Sequence, residues 1–186
     1  MKNAIPLRCA LTAAMLMVWA AAGSTTKALA DEAHIRIAVL DIEMLKADYL
    51  PNAMRITEAD RRMLDMSAEM IRKRLRQEGY DVVPLLATRE AILAADPGQR
   101  LHECNGCELD IAQGLNADWV AIGWVQVVSY LIVNLNIVVL EVDKGRRMGQ
   151  AFVDLRGYNE RSLERATSYA LDNLLVERLA KSRKGY

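Results

Sequence analysis

The sequence predicts a mixed α/β (α+β) domain, with one five-stranded sheet and helices packed on it in the chain order β-α-β-α-α-β-β-β-α. Three observations support this fold. Residues 34–43 alternate like a buried strand, an amphipathic helical repeat follows them, and residues 117–157 contain three consecutive strand-like runs. A sheet with apolar residues on both faces needs helices to cover it, and amphipathic helices provide that cover.

The first strand, "HIRIAVLDIE" at residues 34–43, is apolar on both sides. Strict alternation predicts two faces, with Ile35, Ile37, Val39 and Asp41 on one and with Arg36, Ala38, Leu40 and Ile42 on the other. A strand whose two faces are both largely apolar is buried on both, so we expect it inside the sheet.

The next elements have recognisable starts and ends. Thr57 followed by Asp60 resembles a capping box, and the helix that it opens should stop at Gly79. Residues 81–86 predict a short strand, and Pro84 places it near an edge because proline cannot donate to a ladder. Residues 88–95, "TREAILAA", predict a short helix.

A third helix should begin around Cys107, and three strands follow within residues 117–157. Trp119 and Trp124 are expected on opposite faces of the first of these strands because their separation is odd. Residues 159–182 predict a single closing helix. The apolar stripe of that helix is formed by Leu163, Ala166, Ala170, Leu174 and Leu175.

Residues 1–30 are typical of a secretory signal peptide, because basic residues precede an apolar run and small residues end in "ALA". We expect cleavage after Ala30, with Gly23 as the alternative site. The mature chain, residues 31–186, is then a single α/β domain without a membrane span. Its expected location is the periplasm.

The charge of the mature chain argues against two classes of partner. Removing Lys2, Arg8 and Lys27 from the 24 basic residues leaves 21 basic against 24 acidic residues. Nucleic acids and anionic membranes both select a basic surface, so we expect neither as a partner.

Cys104 and Cys107 form a Cys-x-x-Cys pair at the expected start of a helix, and three uses of the pair are open. A disulfide around Asn105 and Gly106 is favoured, because the mature chain has no other cysteine and the periplasm is oxidising. A thiol-disulfide redox centre is the second possibility, since the start of a helix stabilises a thiolate. The third is a metal site formed by His102 with the two cysteines.

The loop at residues 44–56 is the predicted site of partner contact. It is long, and it follows the carboxyl end of a central strand, where α/β sheets tend to bind ligands. The residues expected to contact a partner are Leu45, Tyr49, Leu50 and Met54.

Several segments resemble known families. "IAVLDIE", "LNADWVAIGWVQVVS" and "LIVNLNIVVLEVDKGR" are similar to the small α/β domain at the front of TolB and in the curli secretion protein CsgG. A closer resemblance covers most of the mature chain: the Cys-x-x-Cys pair, "GWVQVVSYLIVNLNIVV" and "DLRGYNERS" resemble a secreted bacterial family that is catalogued as a domain of unknown function. That resemblance implies gene neighbourhoods for quinoprotein alcohol oxidation and brings no activity with it.

The sequence therefore predicts a non-catalytic periplasmic accessory protein that contacts a protein partner or a second copy of itself. His34 and His102 are the only histidines, and no serine close to either in sequence suggests a catalytic triad. We expect no catalytic residue and no cofactor. The alternative function is that of a thiol-disulfide or metal-handling protein that uses Cys104 and Cys107.

Overall fold

The computed structural model describes residues 34–47, 55–95, 100–129 and 131–185. Its elements follow one another in the expected order, which confirms the predicted fold class. The strands are β1 (Arg36–Lys46), β2 (Asp81–Val82), β3 (Trp119–Val127), β4 (Ile132–Glu141) and β5 (Arg147–Arg156). The helices are α1 (Glu58–Gln77), α2 (Leu85–Ala94), α3 (Cys107–Gly114), α4 (Glu160–Tyr169) and α5 (Val176–Arg183), with a π-helical turn (Ala170–Leu175) between the last two. The predicted signal peptide and its cleavage sites lie outside the described residues.

The five strands form one sheet in the order β2-β1-β3-β4-β5. β1 runs parallel to β2 and β3, whereas β4 pairs antiparallel with β3 and β5. β1 therefore lies inside the sheet, as its two apolar faces predict. β2 is an edge strand, as Pro84 predicts, but it contains only two residues because Pro84 already caps the start of α2.

One face of the sheet, here called the inner face, is covered by α1 and by the closing segment from α4 to α5. The core on this side combines alternate strand residues with one stripe of each helix. Its fully buried members include Ile37, Leu135, Ile137, Trp119, Ile71, Leu75, Leu163, Leu175 and Leu179.

The opposite face, here called the outer face, has a smaller cover. α2 lies against β1 and α3 against β3. Between these elements a second core is formed, which includes Ala38, Leu40, Val120, Ile122, Ile111 and Ala112. Trp124 packs on this side whereas Trp119 belongs to the inner core, which confirms that the two tryptophans lie on opposite faces.

β1 contains a bulge between Val39 and Ile42, where its register against β3 shifts. The extra residue reverses the alternation, so Ile42 and Met44 join the inner core. The prediction that Ile42 shares the outer face with Leu40 is wrong, because strict alternation holds only in a strand without a bulge. The same reversal leaves Glu43 on the outer face.

The start of α1 is capped as predicted. Thr57 Oγ1 accepts a hydrogen bond from the backbone N–H of Asp60 at 3.2 Å, and the Asp60 carboxylate accepts one from the backbone N–H of Thr57 at 2.7 Å. The helix ends at Gln77, and Gly79 follows with a positive φ of 82°. This capping box is confirmed because it depends on only four consecutive residues.

The closing helix is interrupted by the π-helical turn, which the sequence does not predict. Leu171, Leu175 and Leu179 are all buried at intervals of four residues, which is more than the 3.6 residues of an α-helical turn. The wider turn absorbs the difference and keeps the three side chains on the sheet. Leu174, expected in the buried stripe, is only partly buried for this reason.

Candidate functional site

Cys104 and Cys107 lie at the start of α3, on the outer side of the sheet. A disulfide joins them in this structure, and their Cα atoms are 5.6 Å apart, which is usual for such a bond. Asn105 and Gly106 between them have positive φ angles of 50° and 116°. Since only glycine adopts such angles freely, the tight turn depends on Gly106.

Glu43 of β1 holds the segment that precedes the disulfide. Its carboxylate accepts hydrogen bonds from the backbone N–H groups of Leu101 at 2.8 Å and His102 at 3.2 Å. His102 Nδ1 contacts the same carboxylate at 2.5 Å, and the His102 ring stacks on Trp124 with the ring centroids 5.1 Å apart. The segment before the disulfide is thereby fixed to both β1 and β3.

The alternative metal site would combine His102 with the two cysteines. The His102 ring is instead engaged by Glu43 and Trp124. Within the described ranges, a group of three potential ligand residues whose ligand atoms all lie within 4.8 Å of one another is formed by Cys104, Cys107 and Glu108, without His102. Because the two sulfur atoms are bonded to each other, neither is available as a thiolate ligand. Metal binding by His102, Cys104 and Cys107 would require reduction of the disulfide, and it stays a prediction.

A row of side chains crosses the outer face from the disulfide segment to the edge of the sheet. The strand register sets Glu43 beside Trp124 and Trp124 beside Asn136. It then sets Asn136 beside Phe152 of β5. The disulfide segment, through its stacking on Trp124, therefore borders the outer surface of β4 and β5.

That surface is exposed to solvent. α2 and α3 lie against β1 and β3, and Ile132 of β4 and Phe152 of β5 are 55% and 56% exposed. We call this region the open face and define it by its outward-facing residues, which are Ile132, Asn134, Asn136, Phe152, Asp154 and Arg156.

Two amides lie between the apolar side chains of the open face. The Asn134 amide, in the orientation that its neighbours favour, donates to Asp154 Oδ1 at 2.8 Å. Asn136 is only 9% exposed, and its Nδ2 has no hydrogen-bond partner among the described residues. A buried amide without a partner costs free energy, so Asn136 does not stabilise this surface through a hydrogen bond of its Nδ2 group.

A cavity of about 600 Å³ lies at the carboxyl end of β1. Its charged lining residues are Asp41, Glu43, Lys46, Arg61, Asp65, Arg89 and Arg100. Leu45, predicted to contact a partner, is half-buried in β1 between two residues that line this cavity. The other three predicted contact residues, Tyr49, Leu50 and Met54, lie outside the described residues, so the contact surface of this loop stays a prediction.

The charges around the cavity pair with one another. Asp41 contacts the buried Arg72 at 3.4 Å and Arg89 at 3.3 Å, and Arg89 contacts Asp65 at 2.5 Å. Burial lowers the pKa of Arg72, and the nearby Asp41 opposes that effect. These ion pairs connect β1 to both α1 and α2, which indicates a structural role for the charged cluster.

Asp60 is a second buried charged group near the end of β1. Its carboxylate accepts hydrogen bonds from Lys46 Nζ at 2.9 Å, from the backbone of Thr57 and from the Tyr158 hydroxyl. Burial raises the pKa of Asp60, but these hydrogen bonds outweigh burial and lower the pKa to about 2. Burial and the neighbouring carboxylate raise the pKa of Tyr158. At neutral pH the carboxylate is therefore ionised and the phenol is protonated.

Sequence reasoning missed two residues of the outer side of the sheet, Phe152 on the open face and Glu43 beneath the segment that precedes the disulfide. Phe152 is the single phenylalanine of the chain and lies in a predicted strand, which is a signal that could have been noticed. A period-two pattern shows which residues share a face, but it does not show whether a helix covers that face. Glu43 was hidden by the bulge, which changes the face on which it lies.

Comparisons with known proteins concern the fold. The chain is similar to the lipoprotein GNA1162 from Neisseria meningitidis, with 14% identity, a TM-score of 0.49, and coverage of 74% of this chain and 94% of that chain. It is similar to the LpoB C-terminal domain from Salmonella enterica, with 13% identity, a TM-score of 0.48, and coverage of 66% and 83%. TolB from Acinetobacter baumannii has 10% identity, a TM-score of 0.37, and coverage of 76% and 29%. These similarities are too distant to bear on function.

In the part of the chain that the structure describes, no helix is both long and apolar enough to cross a membrane. No protein with a curated description matches the sequence. The family model DUF3280, described as "Protein of unknown function (DUF2380)", matches residues 35–175. The match runs from the start of β1 to the π-helical turn and includes Cys104 and Cys107, so the chain belongs to this family of unknown function.

Proposed function

We propose that this protein is a non-catalytic accessory protein of the periplasm that binds another protein through the open face. The open face presents two exposed apolar side chains, Ile132 and Phe152, beside polar and charged groups on one surface. Protein interfaces have this composition, with aromatic residues in the centre and polar groups at the rim. The proposal is therefore one of surface recognition and not of chemical transformation.

The single observation that carries the proposal is the exposure of Phe152. A phenyl ring that is 56% exposed in the middle of a strand keeps apolar area in contact with water. Burial of the part that is still exposed would contribute roughly half of the 1.5–3 kcal/mol that full burial of an exposed phenylalanine side chain contributes. Ile132, at 55% exposure on the same face, would add to this contribution.

The surroundings of the open face make it a rigid surface. β4 and β5 pair in continuous register from Ile132 with Arg156 to Val139 with Gly149. On its β3 side the surface is bordered by Trp124, on which His102 stacks. We propose that the disulfide next to this segment serves to hold that border in place. A surface that is ordered before binding loses little conformational entropy when the partner arrives.

The periplasmic location rests on two features of the sequence. Residues 1–30 have the pattern of a secretory signal peptide, and a disulfide such as that of Cys104 and Cys107 persists in oxidising compartments. The resemblance to the secreted family supports a periplasmic quinoprotein alcohol-oxidation system as the place where the partner acts. Fusion of residues 1–30 to a reporter that is active only after export would test the location.

Site-specific photo-crosslinking in the native organism tests the interaction. A photoreactive phenylalanine analogue at position 152 should give a discrete adduct with a periplasmic protein other than a second copy of this chain, because the ring at this position contacts the partner. Tyr169 on α4 provides a matched control, since it is an aromatic residue with 54% exposure on a different surface. The same analogue at position 169 should give no such adduct.

The adduct must then correspond to a measurable affinity. With the purified partner, Phe152→Ser should weaken binding about tenfold or more, as the loss of a central aromatic contact usually does. Tyr169→Ser should leave binding unchanged. Equal crosslinking at both positions, or equal binding by both variants, would contradict the proposal.

A further inference from the structure

β5 is a long edge strand whose central backbone is open to pairing. It contains ten residues, and it lies at the end of the sheet, where it pairs with β4 on one side. Edge strands of this kind are usually protected by shortness, proline or charge, because their free N–H and C=O groups attract other strands. The opposite edge strand, β2, has only two residues and is followed closely by Pro84. The β2 edge of the sheet is therefore short and close to a proline, whereas the β5 edge is long.

The backbone groups of β5 that point away from β4, toward the free edge, can be identified from their contacts. Met148 O accepts from Ser182 Oγ at 2.7 Å, and Gln150 O accepts from Arg178 at 2.5 Å. Near the other end of β5, Arg156 O accepts from Ser162 Oγ at 3.4 Å. In an antiparallel ladder the backbone groups of alternate residues point to the same side. Gln150 and Arg156 point to the free edge. The backbone groups of the alternate residues between them, Phe152 and Asp154, therefore point to the same edge.

Among the residues that the structure describes, the edge groups at these two positions have no hydrogen-bond partner. Within the described residues, no side chain donates to or accepts from the backbone of Phe152 or Asp154. Each of these residues therefore offers one N–H and one C=O on the edge. The closing helical segment covers the edge on one side of this pair through Arg178, and Ser162 covers it on the other. The part of the β5 edge whose backbone groups have no partner among the described residues is therefore short and lies near the middle of the strand.

We propose that a second copy of this chain pairs with β5 along this edge, in an antiparallel arrangement with a two-fold axis at Val153. The inference goes beyond the proposed function, because it concerns the free edge of β5 and joins two open faces into one surface. With the axis at Val153, Phe152 of each copy lies opposite Asp154 of the other. The four free backbone groups of one copy then meet the four free groups of its counterpart.

The side chains are compatible with this register. Val153 lies opposite its own counterpart, and β-branched pairs of this kind stabilise antiparallel strands. Gln150 lies opposite Arg156 of the other copy, so no like charges face each other directly. With the axis at Asp154, by contrast, the two Asp154 carboxylates would lie opposite each other, which is destabilising. The resulting sheet would be continuous across both copies, and both open faces would lie on the same side.

The backbone test uses two substitutions at one position. The exported chain, purified from the periplasm and measured by light scattering at about 100 µM, should have twice the mass of one chain. Asp154→Ala keeps the N–H and should preserve this mass. Asp154→Pro removes an N–H that the β4 ladder does not use, so it should yield a folded monomer with an unchanged circular dichroism spectrum.

A cysteine crosslink tests the register. Residues that face each other in a non-hydrogen-bonded pair have Cα atoms about 4.5 Å apart, which is within the range of a disulfide. Val153→Cys should therefore give a disulfide-linked dimer that a reducing agent converts back to single chains. Val138→Cys is the matched control, because Val138 is also a half-buried valine but lies in β4, away from the edge. It should give no covalent dimer.

The outcomes separate this inference from the proposed function. A wild-type monomer at the stated concentration, a dimer that persists in Asp154→Pro, or equal crosslinking by the two cysteine variants would overturn the pairing of β5. None of these results depends on the photo-crosslink at position 152 to a different protein. If that crosslink fails while the dimer is found, the proposed function falls and the pairing of β5 stands.

Discussion

Asp60 joins three parts of the chain through one carboxylate. It caps α1 at Thr57, contacts Lys46 at the end of β1 and accepts a hydrogen bond from Tyr158 ahead of α4. The capping box could be predicted because Thr57 and Asp60 are close in sequence. The other two contacts could not, because Tyr158 lies 98 positions away along the chain and only the fold brings it near.

Asp60→Asn should lower the free energy of unfolding by about 2 kcal/mol at pH 7, since a carboxylate with a pKa of about 2 in the folded protein and an ordinary value of 3.8 stabilises the folded state. The pKa is lowered by folding, so this stabilisation is fully present above pH 3.8 and is lost as the pH falls through about 2. Urea unfolding of both proteins across this pH range measures the difference.

Glu58→Gln provides the control for Asp60→Asn. Glu58 lies in the same first turn of α1 but is exposed, so its replacement should change stability by less than about 0.5 kcal/mol. The free energies of unfolding of Asp60→Asn and of the wild type should differ clearly at pH 7 and less at low pH. A small difference at pH 7, or one that grows as the pH falls, would contradict the assigned role of Asp60.

The cysteine pair is the second feature to be tested at this scale. Because the disulfide closes a loop of only four residues, Cys104→Ser with Cys107→Ser should lower stability by no more than about 2 kcal/mol. If the pair is structural, the wild type should show neither insulin reduction nor stoichiometric metal. Either activity in the wild type, absent from the double variant, would favour the redox or metal-handling alternative.

At the scale of secondary structure elements, the order of strands and helices could be predicted from local periodicity alone. The bulge in β1 and the π-helical turn could not, because both are adjustments to tertiary packing. The bulge brings Ile42 to the inner core, and the π-helical turn brings Leu175 and Leu179 onto the sheet. In both places the sequence pattern deviates from a regular period, and only the position of the neighbouring element shows which side chains are buried.

Gly149 of β5 allows the segment after the π-helical turn to approach the sheet. A Cβ atom at this position would lie 2.8 Å from Leu179 Cδ2 and 3.3 Å from Leu175 Cδ1. Since both leucines are fully buried, Gly149→Ala should overpack the core and lower the free energy of unfolding by about 1–3 kcal/mol. Chemical denaturation at neutral pH measures the change.

Gly114→Ala is the matched control, because a Cβ built on this helical glycine has no atom within 4 Å apart from its chain neighbours and the backbone of its own helix. Alanine is the better helix former, so this variant should be neutral or more stable by up to about 1 kcal/mol. If Gly149→Ala were as well tolerated as Gly114→Ala, the close approach of the closing segment to β5 would be contradicted.

At the scale of the whole molecule, the two faces of the sheet differ in their cover. α1 and the closing segment bury the inner face, whereas α2 and α3 lie over β1 and β3 on the outer face. The alternation of β4 indicates which of its residues share a face, and Val133, Leu135 and Ile137 all lie in the inner core. It could not predict the open face, because the place at which a helix docks depends on long-range packing and not on the strand's own pattern.

The central claim is that the open face is covered by a protein in the cell. The most direct measurement is the rate of maleimide labelling of Ile132→Cys, compared in the intact native periplasm and in the purified protein. Tyr169→Cys, a site of similar exposure on α4, is the control. We expect position 132 to be labelled much more slowly in the periplasm than in the purified protein, and position 169 equally fast in both. Equal rates at position 132 in the two settings would contradict the claim.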